Sequence, residues 1–285
     1  MGWCALSWLA VATLGLCSCT LLVDTYGFVS RDDVDPPSDG ASDAPVGADA
    51  DATAPDGQRD GPRDVQGETD SAEPSPGIVG SWSFEEATGA SALDSSGHGN
   101  TGTLRNGPTW TSGKAGGALA FDGLDDYVSI VPSPSVESIS AALTVAAWVY
   151  RRSDQGAFAN VTGRQAGKGV QDSFLLGFRD NRTIGIVTTT TGSAEVGGST
   201  RALNGVWLHV ALSYDGSAVR LYVGGQLDSS MNLSGLIAPE SNPIIIGAST
   251  NNNQPDERLD ARIDEVKIFS RALSATEIAA LASTP

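Results

Sequence analysis

An all-β fold, a sandwich of two antiparallel sheets, is predicted for most of this chain on three observations. From Ile78 onward, short runs alternate apolar and polar residues. Turns rich in Gly, Asp and Asn separate those runs, and only one segment carries helix signals. Many short strands with a single terminal helix, over about 200 residues, define a two-sheet sandwich.

Taken in order, the alternation predicts strands at 79–84, 117–122, 126–131, 143–151, 173–179, 183–190, 206–214, 218–223, 243–248 and 261–270. Arg179-Asp180-Asn181-Arg182, Tyr214-Asp215-Gly216-Ser217 and Gly224-Gly225 read as hairpin turns, and so does Phe121-Asp122-Gly123. Near the end, Ser274 and Glu277 have the spacing of a capping box opening Ile278–Leu281. Trp82, Phe84, Phe121, Trp148, Trp207, Tyr222 and Phe269 sit at alternating strand positions, which assigns most of them to the core between the sheets.

The N-terminal part is different in kind. Residues 1–19 carry no charge, and Trp8–Leu16 is an apolar run too short to span a bilayer comfortably, so residues 1–18 read as a secretory signal peptide. No Lys or Arg precedes that run. Leu16-Cys17-Ser18-Cys19 resembles the lipobox of bacterial lipoproteins, which implies lipidation at Cys19 and an anchor in the cell envelope, at the outer membrane or cell surface; a plain signal peptide would instead give a secreted protein. Residues 19–77 form an acidic linker. From Thr20 to Gly77 there are fourteen Asp or Glu against three Arg, a net of −11, so the chain's −17 leaves −6 for residues 78–285. With so little apolar area, that segment cannot offset chain entropy. As a flexible coil it would average about 40 Å end to end. A lipid at one end and a domain at the other would make it a surface tether.

Cys4, Cys17 and Cys19 are the only cysteines, so residues 78–285 hold together without disulfides. No Lys- or Arg-rich cluster is present, which argues against nucleic acid as a partner.

Several stretches in order resemble the laminin-G-like jelly roll of the concanavalin A-like lectin/glucanase superfamily. They are Gly80–Glu85, Asp94–Leu104, Gly117–Val128, Leu143–Val149, Val206–Gly216, Val219–Gly225 and Ala261–Ser274. The resemblance covers essentially all of residues 78–285. It implies a calcium site where the chain's beginning meets its end. Asp94 and Asn100 flank the glycine-rich turn Asp94–Gly102, and Asp264 lies on a late strand, so the three are the candidate oxygen ligands, completed by loop carbonyls. The alternatives are that Asp94 and Asn100 cap backbone amides, and that Asp264 meets Arg262 or Arg271 or caps a turn. Asp122, Asp125 and Asp126 form a second acidic cluster, read as turn residues. His209, between Leu208 and Val210, reads as a satisfied or half-exposed strand residue, and His98 as a solvated loop residue.

Glucanases of this superfamily carry two glutamates around an aspartate on one strand face. No Glu-x-Asp-x-Glu run occurs, nor a Gly-x-Ser-x-Gly elbow, zinc pattern or phosphate loop. The expected protein is a non-catalytic, monomeric surface module that binds a glycan or an extracellular protein and reaches the membrane through its lipid. Asp154–Gln171 and Ser249–Glu257, long, polar and free of strand pattern, are the expected binding loops. A structural spacer is the alternative, and a glycoside hydrolase a more distant one.

Overall fold

The computed structural model describes residues 75–154, 158–164, 172–251 and 254–284. The signal peptide, Cys19 and the linker up to residue 74 lie outside them. No described helix is long and apolar enough to cross a membrane.

Two antiparallel sheets pack face to face, as the alternation predicts. The first contains β1 (Ile78–Trp82), β4 (Thr109–Ser112), β5 (Gly117–Asp122), β7 (Leu143–Arg151), β12 (Trp207–Tyr214), β13 (Ala218–Val223), β14 (Gln226–Asn232) and β18 (Asp260–Phe269). Its order is β14-β13-β12-β7-β18-β5-β4, with β1 also paired to β18. The second contains β2 (Ser91–Ala92), β3 (Gly102–Arg105), β6 (Tyr127–Ile130), β8 (Ala159–Arg164), β9 (Phe174–Arg179), β10 (Arg182–Thr189), β11 (Gly192–Arg201) and β15 (Ile244–Ile246). It runs β11-β10-β9-β8-β15-β6-β3-β2. A small hairpin of β16 (Ser249–Asn251) and β17 (Gln254–Asp256) stands apart from both sheets.

The core between the sheets buries Trp82, Phe84, Phe121, Phe174, Leu176, Leu212 and Tyr214. Trp148, Trp207, Tyr222 and Phe269 do not join it. Ala147 and Val149 point inward, so Trp148 between them points outward. Tyr222 and Phe269 form a second cluster with Ala146, Ala211, Leu273 and Ile278, under the helix α2 (Ala275–Ser283). Alternation separates two faces without saying which is inside, and here a helix makes part of the outer face apolar as well. The Ser274–Glu277 capping box that opens α2 is present.

Strand β18 couples the ends of the domain. Asp260–Ile263 pair with β5, while Val266–Phe269 pair with β1. Between the two halves Asp264 faces Trp148 and Lys267 faces Ala146 on β7, which leaves one extra residue on β18. Glu265 takes φ 51° in this bulge. Val266 and Ile268 thereby return to the core.

Four expectations change. Phe121-Asp122-Gly123 is a crossover, because β5 and β6 belong to different sheets. The loop expected at Asp154–Gln171 contains β8, a central strand whose Asn160, Thr162 and Arg164 are buried. The loop expected at Ser249–Glu257 contains the β16–β17 hairpin. A one-turn helix, α1 (Pro134–Glu137), is capped by the Ser133 side chain. The three expected hairpin turns at 179–182, 214–217 and 224–225 join β9–β10, β12–β13 and β13–β14.

Gly247 has φ +90°, and a Cβ built there would lie 2.3 Å from the Phe121 ring. Gly247→Ala should therefore cost roughly 3 kcal/mol, read as a lower midpoint in urea; an unchanged midpoint would show that the β15–β16 turn relaxes freely.

Candidate functional site

The residues expected to hold calcium occupy two hydrogen-bonded settings. Asp94 Oδ1 accepts from the amides of Ser81 and Ser96, each at 2.9 Å. Its Oδ2 accepts from Ser96 Oγ and from the Asn100 amide, each at 2.8 Å. Those donors match the roughly four lone-pair positions of a carboxylate. Asn100 is buried; its Nδ2 donates to the Val79 carbonyl and to Ser135 Oγ, and its Oδ1 accepts from Ser133 Oγ. The Trp82 indole N–H donates to the Asn100 carbonyl at 2.9 Å. The Asp94–Gly102 turn is thus sewn to β1 and α1 through its own polar groups.

Asp264 is fully buried and sits with a different turn. Its Oδ2 accepts from the amides of Lys114 at 2.8 Å and Ala115 at 3.1 Å, which clamps the β4–β5 hairpin onto β18. Neither Arg262 nor Arg271 pairs with it among the described residues; Arg271 pairs with Glu277. Its Oδ1 has no partner there. Burial pushes its carboxyl up to about 6, and the Glu265 charge adds to this, against the pull of the Ala115 and Lys114 amides. As donors for one calcium ion, which takes six to eight oxygens, this set fits poorly: Asp94 is saturated, the Asn100 oxygen is engaged, and Asp264 keeps a single open oxygen.

Asp264, Trp148 and His209 form one cross-strand row on the outer face of the first sheet. Trp148 and His209 meet edge to face with ring centroids 5.5 Å apart. Lys114 Nζ lies 4.6 Å from the Trp148 ring centroid. His209 is buried with Nδ1 unpartnered among the described residues, so it is neither satisfied nor half-exposed. Burial, and then the Lys267 charge, lower its imidazole to about 4.

The acidic residues of the crossover after β5 do gather. Carboxylate oxygens of Asp122, Asp125 and Asp126 lie within 4.8 Å of one another. Asp126 Oδ2 accepts from the Asp122 amide at 3.0 Å, and burial first, then its acidic neighbours, raise the Asp126 carboxyl. Beside this crossover opens a cleft of about 670 Å³. Asp154 and Phe158 line it from one expected binding segment, Asp256 and Glu257 from the other, with Asp122 and Asp260 between. The Arg179 guanidinium stacks 3.8 Å from the Phe158 ring centroid. Glu257 couples to Asp172, whose carboxyl is pushed up to about 7 by burial and then by the Glu257 charge. Nothing in the local sequence flags this pair, because it is set by the packing of distant segments. The side chains of Asn251, Asn252, Asn253 and Gln254 lie outside the described residues.

A two-sheet antiparallel sandwich with a terminal helix on one face, carrying a rim cleft and no disulfide, defines a jelly-roll module. The chain belongs to the concanavalin A-like lectin/glucanases superfamily, whose laminin-G model matches residues 121–279. No curated protein sequence matches it. The binding domain of Paraclostridial Mosquitocidal Protein 1 is similar at 17% identity and TM-score 0.60, covering 72% of this chain and 52% of that one. Domain 4 of AbnA, a GH43 extracellular arabinanase from Geobacillus stearothermophilus, in complex with arabinotriose, is 20% identical with TM-score 0.51 over 72% and 98%. The binding domain of Botulinum Neurotoxin DC in complex with SialylT is 13% identical with TM-score 0.58 over 73% and 52%. These similarities concern the fold, and this chain spans about half the length of the two toxin domains.

The outer row makes stability depend on pH through two groups that act in opposite directions. An imidazole lowered to about 4 binds fewer protons in the fold than in the unfolded chain. Its contribution is complete above the ordinary value near 6.5 and is lost as pH falls from there toward 4. Asp264, raised to about 6, acts oppositely: its contribution is complete below the ordinary 3.8 and is lost as pH rises through 6. Comparing wild type with His209→Gln isolates the imidazole. Between pH 7 and pH 5 the wild type should lose on the order of 2 kcal/mol more than the variant; parallel denaturation curves would mean that His209 is solvated.

Proposed function

We propose that this chain is a non-catalytic glycan-binding module of the bacterial envelope, carried by a lipid at Cys19 on its acidic linker. The observation that carries this reading is the convergence of the two expected binding segments on one cleft, through Asp154 and Phe158 and through Asp256 and Glu257. Carboxylates accept hydrogen bonds from vicinal sugar hydroxyls, and a ring face such as that of Phe158 packs against the apolar face of a pyranose. Superfamily membership and similar domains solved with SialylT and arabinotriose support a saccharide over other small ligands. The cleft's five carboxylates, Asp122, Asp154, Asp256, Glu257 and Asp260, outnumber the one cation that lines it, Arg258, which favours a neutral sugar over an acidic one there. A glycan array probed with the full chain should yield neutral ligands that Asp154→Ala weakens, and an array without neutral hits would sink the cleft reading.

One observation favours a hydrolase as a second reading: Asp172, held at about 7 beside Glu257, has the protonation behaviour of a general acid. Release of reducing sugar from array-positive glycans, lost in Asp172→Asn, would establish that reading in place of simple binding.

Calcium enters on the same footing. Because hydrogen bonds already fill Asp94, we expect the fold to need no ion at the Asp94–Gly102 turn. Melting with and without EDTA should coincide; a drop of several degrees that Asp264→Ala abolishes would instead place calcium at that residue.

A further inference from the structure

The outer face of the first sheet carries a second aromatic row that the core does not use. Arg262, Tyr150 and Trp207 stand opposite one another on β18, β7 and β12, all half-buried. The Tyr150 and Trp207 rings are 5.6 Å apart and tilted by 59°. The Arg262 guanidinium lies 5.4 Å from the Tyr150 ring centroid. One step along β7 is Trp148, with Lys114 over its ring. Across the row, β5 and β4 contribute Ala120 and Thr109, so no carboxylate stands on it.

Each polar tip of this patch is open. Among the described residues the Tyr150 hydroxyl, the Trp207 indole N–H and the Arg262 guanidinium make no hydrogen bond or ion pair, and neither does the Lys114 ammonium. By contrast Arg152, Arg179, Arg220 and Arg271 are all paired with carboxylates. On the row to one side the only carboxylate is Asp264, fully buried and held by backbone amides; on the row to the other side Asp260 is paired with Arg152, and Asp122 stands opposite it on β5. Two unpaired cations resting on aromatic rings, on one face of a chain whose net charge is −17, mark that face for an anion. Strand and residue spacings give the patch a footprint of about 7 by 10 Å.

We propose that Tyr150, Trp207, Arg262 and Lys114 form a second binding site, for a carboxylate-bearing saccharide. The tilted rings take the apolar face of the sugar. The Arg262 fork takes its carboxylate in the bidentate geometry that guanidinium favours, and Lys114 adds charge from the neighbouring row. This site rests on the glycan-binding reading but not on the cleft, whose carboxylates repel such a ligand.

Isothermal titration of the full chain with 3′-sialyllactose, trigalacturonate and lactose tests it. At least one acidic probe should bind more tightly than lactose. Trp207→Ala and Arg262→Gln should each weaken that probe about tenfold, the scale of one lost charge-assisted contact. Trp207→Phe keeps a ring and should retain most binding, and Asp154→Ala should leave it intact. Trp207 and Arg262 are half-buried and Asp154 is exposed, so melting temperatures close to wild type are expected and serve as the folding control. Acidic probes that bind no better than lactose, or that bind both variants as tightly as wild type, would overturn this site. Neutral array ligands that still depend on Asp154 would leave the cleft reading standing in that case, whereas an array with no glycan ligand at all would remove both.

Discussion

Pairing along β18 is the constraint on which the rest of the domain depends. This strand joins β7 on one side and, on the other, β5 with its first half and β1 with its second. The first and last strands of the domain are therefore neighbours, and the bulge at Asp264–Lys267 lets one strand serve both partners. Without the extra residue, Asp264, Val266 and Ile268 would share one face: keeping Asp264 outside would turn Val266 and Ile268 away from the core, and keeping those two inside would turn Asp264 toward it. A buried carboxylate facing apolar side chains would cost several kcal/mol. On the outer face the same carboxylate instead finds two amides.

Polar groups in this domain are satisfied mainly by backbone. Asp94 closes the Asp94–Gly102 turn on amides, and Asn100 bridges β1 to the Ser133–Ser135 segment. Arg164, buried at the end of β8, donates to the carbonyls of Val136, Glu240 and Asn242. These contacts do for the loops what disulfides do in many secreted domains, and all three cysteines lie before residue 20. Carboxylates at the rim cleft and cations on the sheet face then give the module two surfaces of opposite character.

Much of this was legible from sequence, and the failures have physical causes. Strands β7, β9, β10, β12 and β13 are runs rich in apolar residues set between turn signals, and the Ser274–Glu277 pair announces α2. Strand β8 hides because Asn160, Thr162 and Arg164 are polar yet buried, which inverts the usual rule. Strand β11 hides because Gly192, Gly197 and Gly198 carry no side chain to alternate. Trp207 and Trp148 were assignable to a strand but not to a face, since the side on which the second sheet packs is set by topology. As for the candidate site, polarity marked its two loops, but their convergence is a matter of topology. The partners of Asp264 were out of reach, because backbone amides have no residue type to betray them.

The placement of β1 against the end of β18 has a mechanical consequence. Asp260 lines the cleft at one end of that strand, and Phe269 faces Ile78, where the domain begins, at the other. The two points are about 30 Å apart along a single extended segment. A module held at one end by its stalk and at the other by what it grips would take the load lengthwise through that segment. Force in that direction shears the ladder bonds together instead of opening them one after another, so the joint resists as a rivet row does and not as a zip fastener.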